Sequence, residues 1–176
     1  YLTAKADRKR KFYAMYDKIY RKDILEEAWK RVKRNGGAGG VDKVSIDDVK
    51  AYGEEKLLDE IAEELRTDKY RCKPVRRTYI PKPDGRKRAL GIPTIKDRIV
   101  QMAAKIVIEP VFEADFQPCS YGFRPKRSAL QAMDRIFEAA DKGGALWVID
   151  ADIKDYFGSI SHDKLLLLVE QRITDR

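Results

Sequence analysis

The stretch "VRRTYIPKPDGRKRALGIP", residues 75–93, decides the fold class of this chain. The sequence Pro83-Asp84-Gly85 is typical of a tight turn, and residues compatible with β-strands lie on both sides of it. These features predict a β-hairpin whose two strands are joined by a three-residue loop. The chain is therefore not expected to be all-helical.

Helical patterns surround this hairpin. Apolar residues recur at helical spacing, with charged residues on the opposite face. The predicted helices cover residues 7–34, 45–65 with Ser45 as the N-cap, 97–113 and 128–142, and a last segment that Ser161 caps. The nearly all-apolar run "ALWVIDAD", residues 145–152, is predicted to be a buried central strand. Together these elements predict an α+β fold that is rich in helix, with a β-hairpin and a central strand.

Four cations are predicted to lie on one face of the hairpin. Side chains two positions apart in a strand share a face, and the three-residue loop would set Ile80 opposite Arg88. The cations on this face would be Arg76, Lys82, Arg86 and Arg88. Like charges this close repel each other, and a polyanion such as a triphosphate or a nucleic-acid backbone would turn that cost into binding. The alternative is an exposed hairpin whose charges prevent its edges from pairing with other strands.

Three aspartates lie at the end of the predicted strand. Asp150 and Asp152 would share one face, and Asp152 is nearer the C-terminal end, where catalytic carboxylates commonly lie in α/β sheets. Asp155 is expected in a solvated turn. A single carboxylate at a strand end can also be structural, because it can cap a turn or pair with an arginine.

The distribution of charge indicates a polyanionic partner. The net charge is +7 over residues 1–40, −6 over residues 41–65 and +9 over residues 66–98. Two basic blocks on either side of an acidic helix favour RNA or DNA as the partner, although solvated helix faces can have the same composition.

The composition also argues against several classes of protein. The sequence contains no run of about 18 apolar residues, which a transmembrane helix would need, so no membrane partner is expected. The charged start of the sequence is unlike a signal peptide. Cys72 and Cys119 have neither metal-ligand spacing nor the pattern of a disulfide framework, which favours a reducing, cytoplasmic location.

Four blocks of the sequence resemble, in the same order, blocks of the group II intron reverse transcriptases, which are also called maturases. The blocks are "NGGAGGVD", "YIPKPDGRKRALGIPTIKDRIVQ", "SYGFRPKRSALQA" and "DADIKDYFGSISH". The resemblance implies a right-hand polymerase, of which this chain would supply the fingers and the start of the palm. A basic N-terminal helical arm would cover residues 1–35, the fingers residues 36–143, and the incomplete palm residues 144–176.

The resemblance also implies roles for individual residues. Asp152 would be the catalytic, metal-binding aspartate, the backbone carbonyl of Ile153 a second metal ligand, and Phe157 the aromatic that screens the 2′ position of the nucleotide. The cations implied in nucleotide binding are Arg76, Lys82 and Arg88. The residues implied in binding template or intron RNA are Asn35, Gly36, Gly37, Gly39, Arg124, Lys5, Arg8, Lys9, Arg10 and Lys11. For Arg124 the residues themselves leave open a second role, as a loop anchor bonded to backbone carbonyls.

The implied cofactor is a pair of Mg²⁺ ions, and the implied partners are intron RNA, an RNA template with a DNA primer, and a dNTP. The remaining catalytic aspartates of the family lie in a Tyr-x-Asp-Asp motif, which these 176 residues do not contain. The full-length protein is therefore expected to be an RNA-directed DNA polymerase, and this chain alone is expected to be inactive.

Three further possibilities remain open at this point. The chain could be an RNA-binding module that aids splicing without chemistry of its own. It could also belong to a related reverse transcriptase of the diversity-generating or CRISPR-associated type. Finally, the apolar faces of the N-terminal helices could pair with a second copy to form a homodimer, or with domains of the full-length protein that this chain does not include.

Overall fold

The chain forms two compact units in the computed structural model, which describes residues 1–81, 83 and 85–175. Unit 1 comprises Tyr1–Phe12 and Pro110–Thr174, and unit 2 comprises Tyr13–Glu109 together with Asp175. No helix among the described residues has the length and apolar character needed to cross a membrane.

The described residues are rich in helix and contain one two-stranded antiparallel sheet, which is consistent with the predicted α+β class. The elements in chain order are α1 (Leu2–Ala6), α2 (Tyr16–Ile19), α3 (Lys22–Asn35), α4 (Ile46–Tyr52), α5 (Glu54–Arg66), β1 (Arg76–Pro81), β2 (Lys87–Ile92), α6 (Ile95–Glu113), α7 (Ala129–Asp141), α8 (Tyr156–Ser159) and α9 (His162–Val169).

The core of unit 2 is formed by four helices. Apolar side chains of α3, α4, α5 and α6 pack together and exclude water, and each fully buried large one stabilises the fold by roughly 1.5–3 kcal/mol. The buried members include Leu25, Trp29 and Val32 of α3, Leu58, Ile61 and Leu65 of α5, and Ile95, Ile99 and Ala103 of α6. This core fixes the start of α6, from which the candidate site is built.

The predicted helix over residues 45–65 is two helices. Its predicted start is confirmed: the Ser45 side chain accepts the Asp48 N–H at 3.1 Å, and the Asp48 carboxylate accepts the Ser45 N–H at 2.8 Å. The continuous helix is wrong, because Gly53 has a φ of 112° and separates α4 from α5. Glycine adopts this conformation without the steric cost that a side chain would add.

The single helix predicted over residues 7–34 is also wrong. The segment between α1 and α2 leaves the helical path because its carbonyls bond to a distant side chain. In unit 1, the guanidinium of Arg172 donates to the carbonyls of Asp7 at 3.3 Å, Arg8, and Arg10 at 3.0 Å. The Phe12 N–H donates to the Arg172 carbonyl at 2.8 Å, which holds the segment in an extended pairing. A helix would have used these carbonyls internally.

The central strand predicted over residues 145–152 does not form. These residues have no regular secondary structure, and Trp147 and Ile149 are 91% and 93% exposed. A strand needs a partner for its backbone groups, and the described part of unit 1 offers only the isolated bridge between Phe12 and Ile173. The apolar pattern that indicated burial is therefore present in the sequence but is not buried in this structure.

Candidate functional site

The hairpin sets two of the predicted cations on one face. Its register places Arg76 opposite Ile92 and Ile80 opposite Arg88. Positions 76 and 80 have the same parity, so Arg76 and Arg88 share a face, as the sequence predicted. They lie about 13 Å apart along the hairpin, because four residues of strand separate their positions. Of the other two cations predicted on this face, Lys82 lies outside the described residues and Arg86 immediately precedes β2.

A glycine-rich loop lies against the open end of this hairpin. We call residues 36–40, which connect α3 to the segment before α4, the glycine loop. The Nε of Arg76 donates to the Gly39 carbonyl at 3.0 Å. A candidate nucleotide-binding cation of the hairpin therefore contacts the glycine loop directly.

The geometry of this loop favours glycine, as Gly36 and Gly40 illustrate. Gly36 has a φ of 64° and ends α3, with its N–H donating to the Val32 carbonyl at 3.1 Å. Gly40 packs against the backbone of Thr94, where an added Cβ would lie 2.6 Å from the Thr94 nitrogen. Gly37 has a φ of 102° and is exposed, while Asn35 is the last residue of α3.

A buried polar cluster at the start of α6 supports the loop and was not anticipated from the sequence. Asp97 is 2% exposed and accepts hydrogen bonds from the Tyr70 hydroxyl and the Thr94 hydroxyl, each at 2.6 Å. Burial, reinforced by the bond to Asp97, raises the pKa of Tyr70 well above its usual range. The spacing Thr94-x-x-Asp97 is a capping signal that would have indicated this helix start.

The next residue of α6, Arg98, was also missed. Its guanidinium donates to the carbonyls of Pro93 at 3.2 Å, Gly36 at 3.3 Å and Ala38. Nothing in the local sequence indicates the contacts with Gly36 and Ala38, because the glycine loop lies about 60 residues earlier in the chain.

The predicted metal-binding segment lies in unit 1 and is exposed. Asp152 and Ile153 precede α8 in a stretch without regular structure, and Phe157 in α8 is 86% exposed. Asp155 lies in a solvent-exposed turn, as predicted. No group of three histidine, cysteine, aspartate or glutamate side chains that could hold a metal occurs among the described residues. Asp152 thus offers a single accessible carboxylate.

Arg124 is bonded within the protein as a loop anchor, the second role that its sequence context left open, and its assignment to RNA binding stays a prediction. Its Nη2 lies 2.6 Å from Oε1 of Glu113, and Nη1 donates to the carbonyls of Gln117 at 2.8 Å and Ser120 at 2.7 Å. Its side chain is only 8% exposed. The hydrogen bond from Arg124 holds the pKa of Glu113 below its usual range.

The five cations predicted to bind RNA at the start of the basic arm lie in unit 1, whereas residues 13–35 of the arm belong to unit 2. Of the arm residues predicted to bind RNA, only Lys5 lies in a helix, α1. The exposed basic residues are Lys5, Arg8, Lys9, Arg10 and Lys11. The Arg172 contacts described above fix the backbone of this segment and leave the basic side chains at the surface.

The structure therefore groups the predicted site residues in two sets. Arg76, Arg88 and the glycine loop belong to unit 2. The residues of unit 1 are Asp152, Ile153, Phe157, Arg124 and the five cations of the arm.

Comparison with known proteins places the chain in a family. Residues 80–175 match the family model described as "Reverse transcriptase (RNA-dependent DNA polymerase)". The group II intron-encoded protein LtrA of Lactococcus lactis subsp. cremoris is 36% identical over 165 residues, which are 93% of this chain and 27% of that protein. Protein YkfC of Escherichia coli (strain K12) is 40% identical over 142 residues, 79% of this chain and 36% of that protein.

A plant relative extends the comparison. Nuclear intron maturase 1, mitochondrial, of Arabidopsis thaliana is 29% identical over 84 residues, which are 48% of this chain and 12% of that protein. The chain spans roughly a quarter to a third of the length of LtrA and YkfC. With a family match over more than half of its residues, the chain belongs to the reverse transcriptase family and is a relative of the group II intron-encoded proteins.

Proposed function

We propose that this chain is the N-terminal part of a group II intron-type RNA-directed DNA polymerase that supports intron splicing and mobility. It would bind intron RNA, an RNA template with its DNA primer, and a dNTP. The observation that carries the proposal is the hydrogen bond from Arg76 to Gly39, because it joins the candidate triphosphate site to the candidate template site. Residues 1–35 would be the RNA-binding arm, 36–143 the fingers and 144–176 the start of the palm.

The hairpin face is suited to a triphosphate. Arg76 and Arg88 are cations on the same side of a two-stranded sheet, and Lys82 has the same parity in the sequence. Charge-assisted hydrogen bonds to phosphate are about twice as strong as those between neutral groups. In this role Arg76, Lys82 and Arg88 neutralise the charge of the triphosphate and orient it for in-line attack by the primer hydroxyl.

The glycine loop is suited to a nucleic-acid backbone. Residues without side chains allow the phosphate–sugar chain to approach the protein backbone closely. In this role Asn35, Gly36, Gly37 and Gly39 lie against the template strand. The contact from Arg76 would then keep the template base near the nucleotide that pairs with it.

Reverse transcriptases as a family use Mg²⁺, and the residues of unit 1 fit part of such a site. Mg²⁺ is usually bound by one or two carboxylates together with substrate phosphates and water. Asp152 offers one exposed carboxylate and Ile153 a backbone carbonyl. Bound Mg²⁺ supplies Lewis-acid chemistry, which lowers the pKa of the primer hydroxyl and stabilises the leaving pyrophosphate. We propose that the other carboxylates come from a Tyr-x-Asp-Asp motif outside these 176 residues.

Phe157 would select the sugar of the nucleotide. Its ring lies 5.3 Å from that of Tyr156 and is largely exposed, so it can contact a bound nucleotide. An aromatic ring against the 2′ position leaves no room for a hydroxyl, which favours deoxynucleotides over ribonucleotides.

A second candidate function is RNA binding in support of splicing, without chemistry in this segment. The exposure of all five cations of the arm, residues 5–11, favours it. The two functions are compatible in one full-length protein, and they differ in what the 176-residue chain does alone. We propose that it binds RNA and does not extend a primer.

RNA binding is tested by fluorescence anisotropy with a labelled intron RNA over a range of salt concentrations. The logarithm of the affinity should fall linearly with the logarithm of the salt concentration, with a slope of roughly −0.7 to −0.9 for each phosphate neutralised. Changing Lys5, Arg8, Lys9, Arg10 and Lys11 to glutamine should reduce both the affinity and the slope. An affinity that does not depend on salt would contradict RNA binding through these cations.

Polymerase function is tested by primer extension. The 176-residue chain should leave an annealed primer unextended, whereas a longer protein that includes a downstream Tyr-x-Asp-Asp motif should extend it with dNTPs. Extension by the 176-residue chain itself would overturn the proposal that its metal site is incomplete.

A further inference from the structure

Arg98 donates two hydrogen bonds to carbonyls of the glycine loop, whereas Arg76 donates one. The three guanidinium nitrogen atoms of Arg98 each donate to a different carbonyl: Nε to Pro93, Nη1 to Gly36 and Nη2 to Ala38. A planar guanidinium has five N–H groups in a fixed fork, so it can hold several acceptors at once in one geometry. Gly37 packs closely against it, since an added Cβ would lie 3.3 Å from Nη1 of Arg98.

Two arginines donate hydrogen bonds to three carbonyls of the loop. Arg98 donates to Gly36 and Ala38, and Arg76 donates to Gly39. Among the residues that the structure describes, none accepts a hydrogen bond from the backbone N–H of Gly37, Ala38 or Gly39. Successive N–H groups without an acceptor are suited to binding anions such as phosphate.

Arg98 is itself held rigidly at the start of α6. The preceding residue, Asp97, is buried in hydrogen bonds with Thr94 and Tyr70. Ile95 and Ile99, on either side of Arg98 in the helix, are 1% and 0% exposed in the core of unit 2. The backbone of Arg98 is therefore fixed by the core. Its guanidinium can hold the glycine loop in one position, although the loop has few side chains to pack.

We propose that Arg98 is the positioning residue of the glycine loop, acting through the loop carbonyls and not through contact with the nucleic acid. The inference rests on the proposed function of the loop in binding the template strand. Without Arg98, the loop would have to be ordered when RNA binds, and the cost of ordering would reduce the affinity.

The experiment compares the native 176-residue chain with Arg98→Ala, Arg98→Lys and the control Arg66→Ala. Arg66 is an exposed arginine of unit 2 that pairs with Glu63 within α5 and makes no contact with the loop. Backbone order parameters of residues 36–40 are measured by ¹⁵N relaxation without nucleic acid. The affinity for a labelled single-stranded RNA is then measured on the same proteins.

The native loop and the Arg66→Ala loop should have order parameters near those of rigid backbone, about 0.85, and both Arg98 variants should fall below about 0.6. The affinity for RNA should fall about tenfold in Arg98→Ala and by a similar factor in Arg98→Lys, because lysine keeps the charge but lacks the fork. Well-dispersed amide spectra of both variants would exclude unfolding as the cause.

Two results would overturn the inference. One is an unchanged order of the loop in Arg98→Ala. The other is a native affinity in Arg98→Lys together with a loss in Arg98→Ala, which would identify Arg98 as a charge contact to RNA. Failure of the native chain to bind RNA would instead contradict the proposed function, and the order parameters would still decide whether Arg98 positions the loop.

Discussion

The hydroxyl of Tyr70 donates a 2.6 Å hydrogen bond to the buried carboxylate of Asp97. Tyr70 precedes the hairpin and Asp97 follows it, so this bond joins the two ends of the segment that carries the candidate nucleotide-binding cations. The Lys73 N–H adds a weaker contact to the same carboxylate at 3.4 Å. The orientation of the hairpin at its base therefore depends on a pair of residues that the proposed chemistry does not use.

Tyr70→Phe should destabilise the chain by about 1 kcal/mol, because it removes one hydrogen bond from a buried carboxylate while the ring continues to pack. Urea denaturation followed by circular dichroism measures the effect. Tyr13→Phe is the matched control, because Tyr13 is 69% exposed and removal of its hydroxyl should be neutral. Equal stabilities of the two variants would contradict the structural role of the Tyr70–Asp97 bond.

The same pair predicts a dependence on pH. Burial raises the pKa of Tyr70 in the folded chain above the value of about 10 that tyrosine has when unfolded. Above that pH the unfolded state loses the tyrosine proton first, so the contribution of Tyr70 is complete below pH 10 and declines as the pH rises further. The stability difference between the native chain and Tyr70→Phe should therefore be constant from pH 7 to 9 and shrink above about pH 10.

Arg88→Ala should raise the KM for dNTP about tenfold in the full-length polymerase, because one charge-assisted contact to the triphosphate is lost. Lys87→Ala is the control, since Lys87 is the neighbouring cation on the opposite face of β2. Steady-state primer extension at varied dNTP concentration gives the KM of each variant. Equal effects of the two substitutions would show that the face of the hairpin does not matter.

Asp152→Asn should lower the rate of primer extension in the full-length polymerase by about 10³-fold or more, since a neutral amide is a poor metal ligand in a transition state with developing charge. Asp150→Asn should have a much smaller effect, although Asp150 is two residues away and equally exposed. Single-turnover rates separate this loss from changes in nucleotide binding. A rate for Asp152→Asn near that of the native enzyme would contradict the assignment.

Arg172→Ala should destabilise unit 1 by about 2–4 kcal/mol, because it leaves several carbonyls of the arm and the Asp115 carboxylate without their buried partner. Arg172 lies 2.9 Å from Asp115, and its side chain is 7% exposed. Arg135→Ala is the control: Arg135 also pairs with an acid, Glu138, but its side chain is 64% exposed, and its loss should cost less than about 1 kcal/mol. Urea denaturation measures the loss of stability in each variant. The rate of tryptic cleavage within residues 5–11 should rise only in Arg172→Ala.

Arg124→Ala should lower the thermal midpoint of unfolding without changing the salt dependence of RNA binding, because its donors are bonded to Glu113 of α6 and to two loop carbonyls. Lys126→Ala is the comparison, since Lys126 is an exposed cation of the same loop. Differential scanning fluorimetry and anisotropy titrations distinguish the two roles. A loss of RNA affinity at unchanged stability would instead support the assignment of Arg124 to RNA binding.

Short-range features of this chain could be predicted from the sequence. The hairpin register follows from the parity of a strand and the length of its loop, and the structure confirms Ile80 opposite Arg88. The predicted caps at Ser45 and Ser161 are present, because a cap depends on atoms within about three residues of each other. The resemblance to reverse transcriptases, which rests on four short blocks, is confirmed by the family match.

Long-range contacts decided the conformation of the arm and of residues 145–152, which the sequence did not predict. The arm leaves its helix because Arg172, more than 160 residues away, bonds to its carbonyls, and no local pattern contains that partner. The run 145–152 has the composition of a buried strand, but a strand needs another strand to bond its backbone N–H and C=O groups, and the described part of unit 1 has only the isolated bridge between Phe12 and Ile173.

The sequence by itself determined the family, the hairpin and its charged face, since each depends on residue types and their local spacing. Only the tertiary structure decided how the glycine loop is held and which arginines are anchored to backbone carbonyls. The physical reason is that a guanidinium has the same charge in every setting. Whether it meets a carbonyl, a carboxylate or water depends on which distant backbone the fold brings within 3 Å or so of it.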